Sequence, residues 1–140
     1  MIPPGSWLGV LGGGQLGRMF TQAAHRMGYR VVVFDPDPKG VAAAVADQHL
    51  CASFEDVNAL DELARRCMAV TVETENIPAA ALERLASRIV TSPNAHSLSI
   101  AQDRIREKAF ITRIGLTPAP YLPITDRAAL SNADLSPFLP

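Results

Sequence analysis

A glycine-rich turn between a short apolar run and a helical period constrains the fold more than any other feature of the sequence. Trp7–Leu11 reads WLGVL, which is typical of a buried strand, and Gly12–Gly17 follows with the pattern G-x-G-x-x-G. From Gln15 to Met27, apolar residues recur at three- and four-residue steps and define one face of a helix. These residues are Leu16, Met19, Phe20, Ala23, Ala24 and Met27. The segment therefore predicts a strand, a tight turn and a helix in succession.

The same alternation continues along the chain. Further strands are predicted at Val31–Phe34, His49–Ala52, Ala69–Val72 and Ile89–Thr91. Further helices are predicted at Ala42–Asp47, Asp56–Cys67 and Pro78–Ser87. Strands that alternate with helices at this spacing pair in parallel through right-handed crossovers. The predicted fold class is α/β, with a doubly wound, mostly parallel, Rossmann-like sheet.

The pattern changes after Ser92-Pro93. Residues Ala95–Ile114 form one long helix-compatible stretch, and Tyr121–Ile124 reads as a strand. We therefore expect a Rossmann-like domain over 1–92, followed over 93–140 by linker helices and the incomplete opening of a second domain. On this interpretation the chain is the amino-terminal part of a longer enzyme.

Charge and composition exclude several classes of protein. The formal charge of −1 argues against a purely electrostatic binder of nucleic acid or anionic membrane. No apolar run approaches the roughly 20 residues that span a bilayer, and the start does not resemble a signal peptide. Cys51 and Cys67 lack metal-ligand spacing and are interpreted as reduced core thiols. We expect a cytoplasmic protein with no nucleic-acid or membrane partner.

The glycine turn is the first candidate site. Free N–H groups at a helix start favour an anion, and glycines let a ligand approach the backbone. Gln15 lies directly at the turn, where its side chain can contact a substrate. Asp35 ends the second strand near the position where dinucleotide folds place a ribose-binding acid. The alternative is a tight turn that binds no ligand.

The second candidate site follows the strand at Ala69–Val72. Glu73, Glu75 and Asn76 lie at its carboxyl end, the edge at which open α/β sheets bind ligands. Such side chains suit hydrogen bonds to ribose hydroxyls or amino groups. The alternative is that the acids merely favour the start of the helix at Pro78.

The third candidate site is a pair of cations. Arg104 and Lys108 are four residues apart and share one helix face, which can present two cations to a phosphate. The alternative is a solvated face on which Asp103 and Glu107 pair with them. The histidines have neither the spacing of a catalytic triad nor that of a zinc site.

Together and in this order, these segments resemble a known family. The resemblance rests on Leu11–Met19, Glu73–Ile77, Ser92-Pro93 with Ile100–Lys108, and Gly115–Tyr121. They are similar to the 5-(carboxyamino)imidazole ribonucleotide synthases, ATP-grasp enzymes of purine biosynthesis. The resemblance runs from about residue 7 to residue 122.

The resemblance implies a reaction. ATP and bicarbonate form carboxyphosphate, whose carboxyl group passes to the exocyclic amine of 5-aminoimidazole ribonucleotide. It also implies that the ribonucleotide contacts Gln15, Leu16 and Glu73, to which the neighbouring Gly14 and Asn76 are added as predicted contacts. In the same way, it implies that Arg104 reaches ATP, and Lys108 on the same helix face is added as a predicted ATP contact.

The resemblance further implies magnesium as a cofactor and a homodimer when the protein is full length. The family's ATP-binding lysine, phosphate loop and magnesium carboxylates have no counterpart in residues 1–140. We therefore expect no catalytic residue in this chain, and no activity from the chain alone.

Three other functions stay open. The glycine motif and Asp35 also fit an NAD(P)-binding domain of an oxidoreductase. A non-catalytic ribonucleotide-binding module is a second alternative. Related ATP-grasp ligases that act on glycinamide ribonucleotide are a third.

Overall fold

The computed structural model describes residues 1–136 of the chain, in two compact units. The first unit is Met1–Gln102 and the second begins at Asp103. Residues 137–140, the end of the predicted second domain, lie outside the described residues. The predicted domain boundary after residue 92 stays a prediction.

The first unit contains strands that alternate with helices, except that β2 is followed directly by β3, and it ends with one more helix. Their bounds are β1 Trp7–Leu11, α1 Gln15–Arg26, β2 Arg30–Phe34, β3 Gln48–Leu50, α2 Val57–Arg66, β4 Ala69–Val72, α3 Ala79–Ala86, β5 Val90–Thr91 and α4 Ala95–Ala101. Each predicted strand of this unit is present, with ends that differ from the prediction by at most two residues.

All five strands pair in parallel in the order β3-β2-β1-β4-β5, which confirms the doubly wound fold. The central strand β1 pairs with β2 on one side and with β4 on the other, where Val10 lies opposite Val33 and Thr71. The chain leaves β1 toward β2 and later returns to the other side of β1 to form β4. The carboxyl ends of β1 and β4 therefore flank the topological switch point, where such sheets bind ligands.

The centre of the sheet is buried on both faces. Val10 of β1 and Val33 of β2 pack on one face against Ala24 of α1, while Leu11 and Val32 pack on the other face. The second face also carries α2, α3 and α4, through residues that include Leu63, Leu82 and Leu98. Because neighbouring residues of β1 and β2 point into different cores, both strands read as continuous apolar runs.

Helix α1 packs on the sheet through only part of the face that its apolar periodicity indicates: Phe20 and Ala24 pack in the core, but the larger apolar residues at the edge of that face do not. Leu16, Met19 and Met27 are 60%, 63% and 60% exposed. The buried face consists of small residues, Gly17, Thr21 and Ala24. Small side chains allow the helix to lie close to the strands, and the buried Thr21 hydroxyl donates to the Gly17 carbonyl at 2.8 Å. Size, rather than hydrophobicity, therefore marks the buried side of this helix.

The predicted helix at residues 42–47 is wrong. The segment forms successive turns, and the Ala42 N–H donates to the Gly13 carbonyl at 2.9 Å. At its end the Asp47 carboxylate accepts from the Val31 N–H at 2.8 Å and lies 2.7 Å from His25 Nε2. These bonds to the glycine turn, β2 and α1 hold the segment in a compact path that does not complete a regular helix.

The helix-compatible stretch at residues 95–114 is divided. Its second part, α5, spans Arg104–Arg113, and a short helix α6 spans Arg127–Ser131. The Asp103 carboxylate accepts from the N–H groups of Ile105 and Arg106 at 2.8 and 3.1 Å. An aspartate in this position begins a new helix, so the stretch breaks between α4 and α5. The predicted strand at Tyr121–Ile124 is also wrong: in residues 1–136 this segment pairs with no strand.

The two cysteines differ. Cys67 is buried between the sheet and α2, and burial raises the pKa of its thiol to about 12. Cys51 is exposed, so the prediction of two core thiols is wrong for this residue. Within the part of the chain that the structure describes, no helix combines the length and the apolarity needed to cross a membrane.

A carboxylate that bridges two helices predicts how the stability of the domain depends on pH. The Arg84 guanidinium on α3 donates to both oxygens of Asp61 on α2, at 2.8 and 2.9 Å. These hydrogen bonds are the main reason that the pKa of Asp61 lies below its ordinary value of 3.8. A lowered pKa means that the carboxylate stabilises the fold above pH 3.8 and loses this effect as the pH falls through the folded-state pKa.

We therefore expect Asp61→Asn to lower the urea midpoint of unfolding at pH 7, and the difference from wild type to shrink below pH 3.8. Glu83→Gln is the control, because among residues 1–136 the Glu83 side chain has no ion pair. Roughly two pH units cover the titration of a carboxyl whose pKa is lowered by an ion pair. A difference in urea midpoint between Asp61→Asn and wild type that stays constant down to roughly pH 2 would therefore contradict the assignment.

Candidate functional site

The glycine loop, which we define as Gly12–Gly17, connects β1 to α1 at the switch point of the sheet. Gly12 has a φ of +113°, a conformation that residues with a side chain rarely adopt. Its N–H donates to the Phe34 carbonyl at 2.9 Å, which extends the pairing of β1 with β2. On the other side, the Glu73 N–H donates to the Leu11 carbonyl at 3.0 Å. The backbone of Glu73 is thereby fixed beside the loop.

The Glu73 carboxylate closes the start of α1. One oxygen accepts from the Gly14 N–H and the other from the Gly17 N–H, each at 3.1 Å. Gly14 is the N-cap of the helix and has no side chain with which to cap it. A carboxylate at a helix start is favoured by the hydrogen bonds and by the helix dipole. The anion that the sequence predicts at this loop is therefore, in part, a side chain of the protein itself.

Asp35 holds the loop from the side of β2. One of its carboxylate oxygens accepts from the Gly13 N–H at 2.6 Å, and the other accepts from the Asp37 N–H at 2.7 Å. Asp35 was a candidate ribose-binding acid on the oxidoreductase interpretation. Both of its oxygens bind backbone N–H groups, so Asp35 braces the loop whether or not it also contacts a ligand.

Close packing explains the last glycine of the motif. A Cβ atom on Gly17 would lie 2.5 Å from the Gly12 carbonyl oxygen, and real side chains do not come that close to a backbone atom. The first turn of α1 therefore lies directly against the end of β1. This contact brings the Gly17 N–H within reach of Glu73.

The exposed face of the loop is formed by Gln15 and Leu16. Both side chains are exposed, and no acceptor in residues 1–136 binds the backbone N–H group of either residue. Gly14, Gln15, Leu16 and Glu73, which the resemblance joins in one substrate site, thus lie together at the switch point. The backbone N–H groups of Gln15 and Leu16 and the Glu73 carboxylate all lie at the start of α1, an arrangement suited to hydroxyl and amino groups of a ligand.

Asn76 lies farther along the loop that follows β4. Its side-chain amide and its backbone N–H both approach the Thr74 hydroxyl, at 3.3 Å. The amide of Gln102 donates to the carbonyls of Glu75 and Ile77, both at 2.7 Å. Sequence reasoning placed Gln102 in a motif but did not detect this contact, because no local pattern links residues so far apart along the chain.

In the second unit, Arg104 and Lys108 occupy one face of α5. The Arg104 guanidinium donates to the Glu107 carboxylate at 2.6 Å, and Lys108 is half-buried. The ion pair is the one expected of a solvated helix face. It leaves the predicted role in ATP binding a prediction.

The comparisons with known proteins identify the family. A family model described as the ribonucleotide synthetase preATP-grasp domain matches residues 6–102. The chain belongs to this family. The match covers all five strands and the glycine loop. It ends at Gln102, which is also the last residue of the first compact unit.

Individual relatives of the preATP-grasp chain agree with the resemblance. The N5-carboxyaminoimidazole ribonucleotide synthase of Brucella melitensis is 40% identical over 132 residues, which are 94% of this chain and 36% of the relative. The N5-carboxyaminoimidazole synthetase of Staphylococcus aureus, solved with ADP, has a TM-score of 0.82 and 32% identity, and the match covers 93% of this chain and 36% of that one.

The synthase of Aspergillus clavatus was solved with ADP and 5-aminoimidazole ribonucleotide. It has a TM-score of 0.73 and 30% identity, and the match covers 91% of this chain and 35% of that one. The preATP-grasp chain thus spans about a third of the length of the relatives it matches.

Proposed function

We propose that this chain forms the ribonucleotide-binding part of an ATP-dependent ligase in purine biosynthesis. The ligase carboxylates 5-aminoimidazole ribonucleotide with bicarbonate to give N5-carboxyaminoimidazole ribonucleotide. The observation that carries the proposal is the Glu73 carboxylate held against the glycine loop at the switch point, in a chain whose relatives are synthases of this product.

The chemistry proceeds in two transfers. A bicarbonate oxygen attacks the γ-phosphorus of ATP, and carboxyphosphate and ADP are formed. The exocyclic amine of the ribonucleotide then attacks the carboxyl carbon, phosphate leaves and the amine loses a proton. The part proposed for this chain is to bind and orient the ribonucleotide so that its amine faces the carboxyl donor.

Glu73 retains capacity to bind a ligand while it holds the loop. An ionised carboxylate has about four acceptor positions on its two oxygens. The N–H groups of Gly14 and Gly17 use two of them. The remaining positions suit the hydroxyl groups of a ribose, and the N–H groups of Gln15 and Leu16 add two donors nearby. The exposed Asn76 amide is proposed as a further contact.

ATP is proposed to bind through Arg104 and Lys108, whose spacing on α5 presents two cations on one face. A magnesium site does not fit the described residues, because no group of three or more His, Cys, Asp or Glu side chains in residues 1–136 is arranged so that it could hold a metal ion. No step of the reaction is therefore assigned to magnesium here. A homodimer and a cytoplasmic location remain predictions.

The proposal is tested with the natural protein that contains this chain. Isothermal titration should show binding of 5-aminoimidazole ribonucleotide, with no binding of NAD. Phosphate release should require ATP, bicarbonate and the ribonucleotide together, and glycinamide ribonucleotide should not replace the imidazole substrate. NAD binding without ribonucleotide binding would favour the oxidoreductase. Ribonucleotide binding without phosphate release would favour a non-catalytic module.

A further inference from the structure

Gln102 makes a contact that the proposed reaction does not yet use. Its side-chain amide has two N–H donors, and both are engaged by backbone carbonyls of the loop after β4, those of Glu75 and Ile77, each at 2.7 Å. The contact joins residues 27 and 25 positions apart in the chain. We define the segment Glu73–Ile77 as the acid loop.

Gln102 is itself held in place. It follows the last residue of α4, whose start is capped by the Asn94 side chain, which accepts from the Ser97 N–H at 2.8 Å. Leu98 on the same helix is buried in the core to which α3 also contributes. The amide therefore extends from an anchored helix and acts as a fixed support for the acid loop.

The acid loop is fixed at its start and at its end by different means. At its start the Glu73 N–H binds the Leu11 carbonyl, and at its end the Ile77 side chain is fully buried. Between these points the local contact is the weak pair from Asn76 to the Thr74 hydroxyl, at 3.3 Å. Gln102 supplies the two short hydrogen bonds that define the path of the exposed middle.

We propose that Gln102 is a positioning residue that keeps the acid loop in the shape in which Glu73 faces both the glycine loop and the ribonucleotide. The inference rests on the proposed function, since it assigns Gln102 to the binding of the acceptor substrate. Gln102 acts through Glu73 and the backbone of the acid loop. A shift of about 1 Å in such a group changes catalysis by up to about a hundredfold.

The test is the variant Gln102→Met of the natural protein. Methionine is chosen because its side chain has a similar length and no hydrogen-bond donor. We expect the KM for 5-aminoimidazole ribonucleotide to rise about tenfold, through displacement of a binding group. The KM for ATP should stay within about twofold. Gln22→Met is the matched control, since Gln22 is exposed on α1 and its side chain has no hydrogen bond in residues 1–136. Gln102→Glu, which retains size and polarity but lacks the amide donors, should behave like Gln102→Met.

A double-mutant cycle separates positioning from simple loss of stability. In a Glu73→Ala background, Gln102→Met should raise the KM for the ribonucleotide by less than about twofold, because the group that it positions is gone. In a Glu75→Ala background the full rise should remain. Equal effects in the three backgrounds would overturn the inference while leaving the proposed function intact.

A measurement without substrate gives an independent test. Amide hydrogen exchange at Gly14 and Gly17 reports whether Glu73 holds their N–H groups. We expect faster exchange at both glycines in Gln102→Met, and no change in Gln22→Met. Unchanged exchange would refute the positioning role, whatever substrate the enzyme uses. Failure of the ribonucleotide to bind wild type, with exchange altered as expected, would instead count against the proposed function.

Discussion

Replacing Glu73 with alanine should raise the KM for 5-aminoimidazole ribonucleotide by about a hundredfold and leave the KM for ATP within about twofold of wild type. The reason is that the change removes the carboxylate proposed to accept from the ribose and also frees the N–H groups of Gly14 and Gly17. Lost capping of a helix costs about 1 kcal/mol, and part-buried donors left without an acceptor add a similar amount. We therefore expect the free energy of unfolding to fall by about 2 kcal/mol.

Steady-state kinetics and urea unfolding check the two parts of this prediction separately. Glu75→Ala is the matched control: it removes the same charge from the same loop, and the exposed Glu75 side chain binds no group in residues 1–136. An equal loss of stability in both variants would show that the charge, rather than the contact with the glycine loop, is responsible. An unchanged KM for the ribonucleotide in Glu73→Ala would refute the role of Glu73 in substrate binding.

Gly17→Ala should destabilise the domain by about 2 kcal/mol, within the range found for overpacking of a well-packed contact. Replacing glycine with alanine inside a helix ordinarily stabilises it by about 1 kcal/mol. Here the new Cβ would lie 2.5 Å from the Gly12 carbonyl oxygen, a backbone atom that cannot move without disturbing β1. The expected sign is therefore opposite to that of helix propensity.

Urea unfolding measures this effect, and Gln22→Ala on the exposed side of α1 is the control. The control should change the free energy of unfolding by less than about 0.5 kcal/mol, as for most exposed positions. If Gly17→Ala proved more stable than wild type, the close approach of α1 to the end of β1 would be wrong. The capping contact between Glu73 and the Gly17 N–H would then lose its basis as well.

Much of the fold could be predicted because most of β1 and β2 is buried between the two cores and reads as a continuous apolar run. Residues 42–47 were mispredicted because their turns are fixed by hydrogen bonds to distant residues, and these leave no local pattern. The division between α4 and α5 could have been predicted from Asp103, which is a typical N-cap residue. The apolar periodicity of α1 placed Phe20 and Ala24 correctly and Leu16, Met19 and Met27 wrongly, because hydrophobic periodicity does not report which side of a helix must be small.

The candidate site could be predicted in part. The glycine motif and the acids after β4 indicated the correct edge of the sheet, since strand ends follow from the apolar runs. The sequence could not show that Glu73 itself caps α1, because Glu73 lies 59 residues from Gly14 and 56 residues from Gly17 along the chain. The same limit applies to Gln102. The roles proposed for Asn76, Arg104 and Lys108 depend on ligands and stay predictions.

The hydrogen bonds that hold the glycine loop also affect how a ligand would bind. The carboxylates of Asp35 and Glu73 bind three backbone N–H groups of the loop, those of Gly13, Gly14 and Gly17, so the loop is held in shape by the protein itself. Ordering a flexible loop on binding typically costs conformational entropy, and a preformed loop avoids most of that cost. We expect the acceptor substrate to meet a rigid surface, so that affinity depends on the fit of its sugar rather than on folding of the protein around it.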